Sequence, residues 1–396
     1  MQDKITALCT AMVPQAIAWR HQIHRCPELG FHETETTRLI TEFLESLGNI
    51  EVQRPLPTGA VGILKGKKPG MTLAFRADID ALPITEEESH NPRSGHDGVM
   101  HACGHDAHTA TLLSAAAVLS QLQDEICGEI RFIFQPAEEA PPGGGCQMVE
   151  AGAVDGVDYI FALHGHVPAD PGMFFVKPGP LFASSYNFDI ELTGKQAHAA
   201  FPFNGIDSIL AASQIIAALN TVIPRSVDNS MRAVLTVTQI HGGNTHNVIP
   251  EKVSFGGTIR MLDSRCEETI LERVKAVAEH TAGMNGAQCR VMFDKGYALV
   301  DNDAKAAEAV RRVLTARFGQ DHVTEPVALM GGEDFSAYLQ KVPGCYYRIG
   351  IRKVQEDGSV HQPHTSRYIF NDEAFNYSIE SVVRILLEAQ DILAGL

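Results

Sequence analysis

The chain has 396 residues, 44% of them apolar and 20% charged, the composition of a soluble globular protein long enough for two domains with substantial cores. Its formal charge of −16 argues against a nucleic-acid partner. No apolar run approaches the length of a membrane span, and none behind Met1 reads as a signal peptide, so no membrane partner and a cytoplasmic location are expected.

The elements alternate. Ile5–Arg25 has helical spacing and ends before Pro27, and Glu35–Leu47 is a second amphipathic helix closed by Gly48. Met71–Ala77 is an apolar strand run. Asp106–Gln123, rich in Ala and Leu, predicts a helix with Asp106 as its N-cap. Glu129–Gln135, stopped by Pro136, and Asp158–Leu163 predict two more strands. Alternation of this kind implies α/β architecture: a mixed, largely parallel sheet flanked by helices. The middle of the chain changes rhythm. Strands are expected at Ser185–Leu192, Ala233–His241, Lys252–Met261 and Ala287–Asp294, with helices at Ile206–Thr221 and Glu267–Gly283. That order, β-α-β-β-α-β, is the ferredoxin-like split arrangement and predicts a domain at 183–296 inserted into a first domain of 1–182 and 297–396. The α/β pattern resumes with a helix at Ala304–Phe318, the turn Gly331–Ser336, a strand near Gly344–Ile349 and a final helix from about Asn376 to Ala394.

Chemistry concentrates between His90 and His108, whose core reads His101-Ala-Cys-Gly-His-Asp-Ala-His108, and at the pair Glu138–Glu139. His and Cys suit a borderline-soft divalent metal. The predicted strands end at Asp78 and Asp80, at Glu138–Glu139 and at His164, and ligands of open α/β sheets gather outside the carboxyl ends of strands. Cys103 and His105 are two apart and cannot share a helix face, but Gly104 lets them converge in a loop. Candidate ligands are Cys103, His105, Glu139, His164 and a later histidine, best placed at His364. They fit two divalent ions better than one, with zinc, manganese, cobalt or nickel all suited to N, O and S donors. A paired site polarises a carbonyl and activates water, and a glutamate not used as a ligand is free to act as general base. Asp80 stands where a partner orienting a ligand imidazole is needed. Amide or ester hydrolysis is the implied reaction. His90, His96, His101 and His108 read as surface or supporting residues, and the cysteines other than Cys103 as buried or free thiols.

From about His24 to the C-terminus the chain resembles the M20 metallopeptidases, most closely their amidohydrolase branch of hippurate hydrolases, N-acyl-amino-acid amidohydrolases and auxin-conjugate hydrolases. The motifs are His24-Arg-Cys-Pro-Glu-Leu-Gly-Phe31, Arg76-Ala-Asp-Ile-Asp-Ala-Leu-Pro83, Met100–His108, Gln135-Pro-Ala-Glu-Glu139, Gly194-Lys-Gln-Ala-His198, His246-Asn-Val-Ile-Pro250, Gly257-Thr-Ile-Arg260 and Gly332-Glu-Asp-Phe-Ser336. The resemblance implies a catalytic domain split by a smaller lid domain, with dimerisation or higher homo-oligomerisation through the lid. It implies that Glu138 is the general base and Cys103 a bridging ligand, with His105, Glu139, His164 and His364 as further ligands. His198 would hydrogen-bond the oxyanion, and Asn247 and Arg260 would hold the free carboxylate of an N-acyl amino acid substrate. A dipeptidase or carboxypeptidase, or an N-acetyl-diaminopimelate deacetylase, is the alternative on the same fold. Two departures from the pattern stand out. Phe203 occupies a neighbourhood where the family often has His, and Pro363 precedes His364 where Leu-His-type segments are usual. His361 lies three residues before His364, and the downstream Phe370-Asn-Asp-Glu373 keeps His364 in register. Taken without the resemblance, Asn247 reads as a turn residue, Arg260 as a surface partner of Asp263, and Glu333 and Asp334 as caps of the following helix or as residues touching the site rim.

Overall fold

The computed structural model describes Gln2–Leu396. The chain forms two compact units: Met1–Gly179 with Val300–Val327 and Asp334–Leu396, and Pro180–Leu299 with Ala328–Glu333.

The first unit is built on an eight-stranded sheet, in the order Glu51–Gln53, Ala60–Lys65, Cys127–Gln135, Lys68–Asp78, Tyr159–His166, Gly344–Gly350, Phe174–Phe175 and Val323–Thr324. The four strands from Cys127–Gln135 to Gly344–Gly350 run parallel, and the Ala60–Lys65 strand lies antiparallel beside them. Parallel strands are buried on both faces and read as continuous apolar runs, as in Phe132, Ile133 and Phe134. The helix His105–Gln121 is hidden along almost its whole length and packs with Gln2–Arg25 and Phe375–Gly395. Its Ala-rich sequence shows little amphipathicity because it has no solvent face.

The second unit has a four-stranded antiparallel sheet, ordered Ala233–Gly242, Lys252–Met261, Ser184–Thr193 and Gln288–Lys295. On Ser184–Thr193, Tyr186, Phe188, Ile190 and Leu192 are buried while Asn187, Asp189 and Glu191 are exposed, the period-two signature of a sheet covered on one face. The helices Ser208–Leu219 and Glu267–Met284 supply the cover through Ala211, Ile215, Ile270, Val274 and Ala278. Among the described residues no helix is long and apolar enough to cross a membrane.

Two local expectations change. The strand predicted to stop at Leu163 continues to His166, because Gly165 and His166 pair with Ile349 and Gly350. Asp106 does not cap its helix. Gly104, in the left-handed region at φ 96°, takes that position, and Asp106 lies inside the first turn with its carboxylate turned to His24. The short strand Ala60–Lys65 carries no strong alternation and was not expected from the sequence pattern.

His24 is buried with a carboxylate on each ring nitrogen: Asp106 at 2.8 Å on Nδ1 and Glu86 at 2.9 Å on Nε2. Both contacts require N–H donors, so the ring is an imidazolium. Burial works against that charge, but the hydrogen bonds to Asp106 and Glu86 outweigh it and hold the pKa at about 9. A raised histidine stabilises the fold fully below its unfolded pKa and loses that contribution as pH rises through 9. Replacement by Gln leaves two buried carboxylates facing an uncharged side chain. His24→Gln is expected to lower the unfolding free energy by roughly 3–5 kcal/mol near pH 6, read by urea denaturation. The wild type is expected to lose stability between pH 6.5 and 9, and the variant to lack that fall.

Candidate metal centre

The centre sits at the carboxyl ends of the parallel strands. Cys103 and His105 flank Gly104, where an added Cβ would come within 2.6 Å of the Tyr368 hydroxyl. Only glycine fits that turn. Glu138 and Glu139 follow the strand Cys127–Gln135 through Ala137, a non-glycine residue at φ 54°. His164 lies near the end of its own strand. His364 arrives on a loop whose backbone is pinned by its N–H to the Ala102 carbonyl at 2.8 Å, and it too is left-handed, at φ 61°. Such conformations cost energy in L residues and persist where surrounding structure enforces them.

The donors converge. Cys103 Sγ is 3.4 Å from His164 Nε2. Donor atoms of Cys103, Glu139 and His364 lie within 4.8 Å of one another, as do those of His105, Glu138 and Glu139, so Glu139 is common to both groups. A third group joins His105 and His164 to Asp78 and His108. The structure thus brings together Cys103, His105, Glu138, Glu139, His164 and His364. His361 hydrogen-bonds Ser359 instead.

Tautomers follow from the partners. His105 Nδ1 faces two oxygens of Asp80, the carbonyl at 3.0 Å and Oδ1 at 3.1 Å, so Nδ1 carries a proton and Nε2 is the nitrogen turned toward the other donors. His164 Nδ1 donates to the Gly165 carbonyl at 2.8 Å and likewise leaves Nε2 bare. His108 differs. It donates from Nδ1 to Asp78 at 2.7 Å and accepts the Gly165 N–H on Nε2 at 3.1 Å, so neither nitrogen is free for a metal. His105 Nε2 and Glu139 Oε1 are buried without a hydrogen-bond partner. His364 Nε2 lies 2.9 Å from that glutamate oxygen, yet the contact lacks hydrogen-bond alignment. Buried His105 Nε2 and Glu139 Oε1, unpartnered and turned to one place, suit ligands aimed at a shared cation, because buried polar atoms without partners are costly otherwise. The residues therefore fit metal ions.

Electrostatics agree with that fit. Cys103 and Glu139 push the His364 imidazole up to about 10, a sign of the negative charge facing it. Burial, reinforced by the neighbouring His108, holds His164 well below the usual histidine range and keeps it neutral, the form that ligates. Burial raises the Cys103 thiol, whereas its place at a helix N-terminus favours the thiolate.

Beneath the donors lies a buried ionic scaffold. Arg76 spans Asp78 at 2.6 Å, Asp334 at 2.6 Å and Gln135 at 2.8 Å. Asp334 also accepts from Gln135 Nε2 at 2.6 Å and from Gly145 N at 2.8 Å. Its carboxylate is committed there, so no side-chain cap forms on the helix Ser336–Leu339; the other expectation holds instead, since an Asp334 oxygen lies within 4.8 Å of one of Glu138. Sequence reasoning gave Arg76 and Gln135 no role, although each stood inside a motif, and did not foresee that Asp334 would pair with Arg76.

In the second unit, His198 and Val248 pair in a short antiparallel bridge, and the Ala199 N–H donates to the Asn247 carbonyl at 2.9 Å. The segments bearing His198 and Asn247 are thus held together. His198 Nδ1 accepts from Ala200 N at 3.0 Å, which places its proton on Nε2. Asn247 Oδ1 accepts from Thr245 at 3.0 Å. Arg260 is not the surface partner of Asp263. Its Nε donates to Thr258 at 3.1 Å, while Asp263 takes Arg265 at 2.6 Å.

Residues 74–388 match the profile of Peptidase family M20/M25/M40. The chain belongs to that family. It is 41% identical over 301 residues to an N-acyl-L-amino acid amidohydrolase of Geobacillus stearothermophilus, covering 76% of this chain and 81% of that protein. It is 39% identical over 358 residues to thermostable carboxypeptidase 2 of Saccharolobus solfataricus, covering 89% and 90%. Among solved structures, a Bacillus subtilis dinuclear metal-binding peptidase of the M20 family superposes with a TM-score of 0.85 at 34% identity, over 96% of this chain and 99% of that one. Metal-dependent amide hydrolysis is the chemistry these relatives and the donor cluster support.

Asp80 is the residue that this geometry makes most testable without a substrate. One carboxylate oxygen orients His105 and the other accepts the Glu139 N–H at 2.9 Å. Asp80→Ala is expected to weaken metal binding about 10–100-fold, measured by titration of the chelator-stripped protein, with the fold retained by circular dichroism.

Proposed function

We propose that the chain is a dinuclear metal-dependent amidohydrolase that cleaves N-acyl amino acids to a carboxylic acid and a free amino acid. The observation that carries this reading is the pair of donor groups sharing Glu139, with Glu138 beside them and 7% exposed. Cys103, His105, Glu139, His164 and His364 would hold two divalent ions, with zinc, manganese, nickel or cobalt all suited to the donor set. Bound there, the ions polarise the scissile carbonyl and acidify water.

The remaining work falls to side chains. Glu138 takes a proton from the attacking water as the C–O bond forms and the carbonyl becomes an oxyanion, then passes that proton to the leaving nitrogen as the oxyanion collapses and the C–N bond breaks. Asp80 holds His105 in the ligating tautomer. His198, with its proton on Nε2, donates to the oxyanion, and Asn247 and Arg260 take the free carboxylate. These three roles come from the motif match. A lid role for the inserted domain expected at 183–296, a homodimer or larger oligomer formed through it and a cytoplasmic location belong to the same reading.

A second reading, a dipeptidase or carboxypeptidase, has the support of the carboxypeptidase relative. An N-acetyl-diaminopimelate deacetylase would fall within the first chemistry.

Glu138→Ala is expected to lower kcat at least about 1000-fold on the best N-acyl amino acid, with two metals per chain still found by elemental analysis. A panel of N-acetyl, N-benzoyl and longer N-acyl amino acids should be turned over in preference to dipeptides. Preference for dipeptides would select the second reading, and near-full activity of Glu138→Ala would remove Glu138 as the base.

A further inference from the structure

Glu33 occupies the N-cap position of the helix Thr34–Ser46 but makes no side-chain cap hydrogen bond. Glu33 is fully buried, and its Oε1 accepts the Ala137 N–H at 2.8 Å, across 104 positions of sequence. Ala137 is the left-handed residue immediately before the two glutamates. Its carbonyl accepts the Gly144 N–H at 3.0 Å. On its other side, a Cβ built on Gly30 would meet the Ala137 Cβ at 3.0 Å, so the turn carrying Gly30 is pressed against it. Two residues on, the Glu139 N–H is held by Asp80. The backbone on either side of Glu138 is thus clamped by two carboxylates, Glu33 before it and Asp80 after it.

We propose that Glu33 is a positioning residue, whose carboxyl oxygen fixes the strained Ala137 turn and thereby sets the direction of Glu138 and Glu139. This inference rests on the reading of Glu138 as base and Glu139 as ligand. The chemistry requires only an acceptor oxygen on Glu33, not a negative charge. Burial pushes this carboxyl up to about 7, which agrees with an acceptor used substantially in its neutral form. Without the acceptor, the Ala137 amide would be buried unpaired and the left-handed turn would relax toward an ordinary conformation.

The test compares wild type with Glu33→Ala, Glu33→Met and Glu33→Gln. Met keeps the bulk if the alanine variant fails to fold, and Gln keeps the acceptor. Hydrogen–deuterium exchange of the peptide spanning residues 133–141 should quicken in Glu33→Ala and Glu33→Met and stay at the wild-type rate in Glu33→Gln. Affinity for Co2+ alone and kcat should each fall about 10–100-fold in the first two, with KM within about twofold, and recover in Glu33→Gln. Unchanged exchange, unchanged kcat in the loosened variants, or a Gln variant as impaired as Met would each overturn the proposal. If the wild type hydrolyses no N-acyl amino acid, the functional reading falls by itself, and exchange and Co2+ affinity still decide whether Glu33 positions the turn.

Discussion

The buried charge of Arg76 is the constraint on which the rest of the site depends. A cluster of thiol, carboxylate and imidazole acceptors repels itself, and burial magnifies that repulsion. Arg76, 1% exposed, answers it from below by pairing with Asp78 and Asp334 at once. Asp78 passes the restraint to His108, which in turn grips the Gly165 N–H beside His164. The strand ends, the loop at Asp334 and the imidazole at His164 are thereby linked through one fully satisfied network. Such a network is costly to break at any single member, because each loss leaves a buried charge without a partner.

Above this scaffold each donor is oriented by a hydrogen-bond partner. Asp80 fixes His105, Gly165 fixes His164, and the Ala102 carbonyl holds the backbone of His364. Three of the supporting features are conformations that ordinary residues avoid: Gly104, Ala137 and His364 are all left-handed. Their coincidence with the donors places backbone strain where direction matters most.

Much of this was legible in the sequence, for identifiable reasons. The strand Lys252–Met261 and the helix Ala304–Phe318 have the boundaries that apolar spacing predicts, since local periodicity and local structure report the same thing there. Glu138, Glu139 and His164 stood out by type and by following predicted strands, Cys103 and His105 by the dense His and Cys run before a helix, and His364 by register with the family motif. Their supports did not. Arg76 and Asp334 are 258 positions apart, and nothing in either segment announces that they will meet. Glu33 reads as one more acid in a charged helix start, and Asp106 as a cap, because sequence shows what a side chain ordinarily does nearby and not what it reaches across the fold. The strand Ala60–Lys65 was lost for a related reason: buried on both faces, it lacks alternation.

The Ala137 turn limits how this protein can change. A side chain larger than a methyl would have to accept a left-handed backbone and also find room where Gly30 already approaches closely. Position 137 therefore favours glycine and alanine, and a larger side chain there requires the turn carrying Gly30 to give way. Directed evolution that randomises the glutamate turn alone would sample mostly dead sequences, and productive libraries must vary residues 30, 33 and 137 as one block.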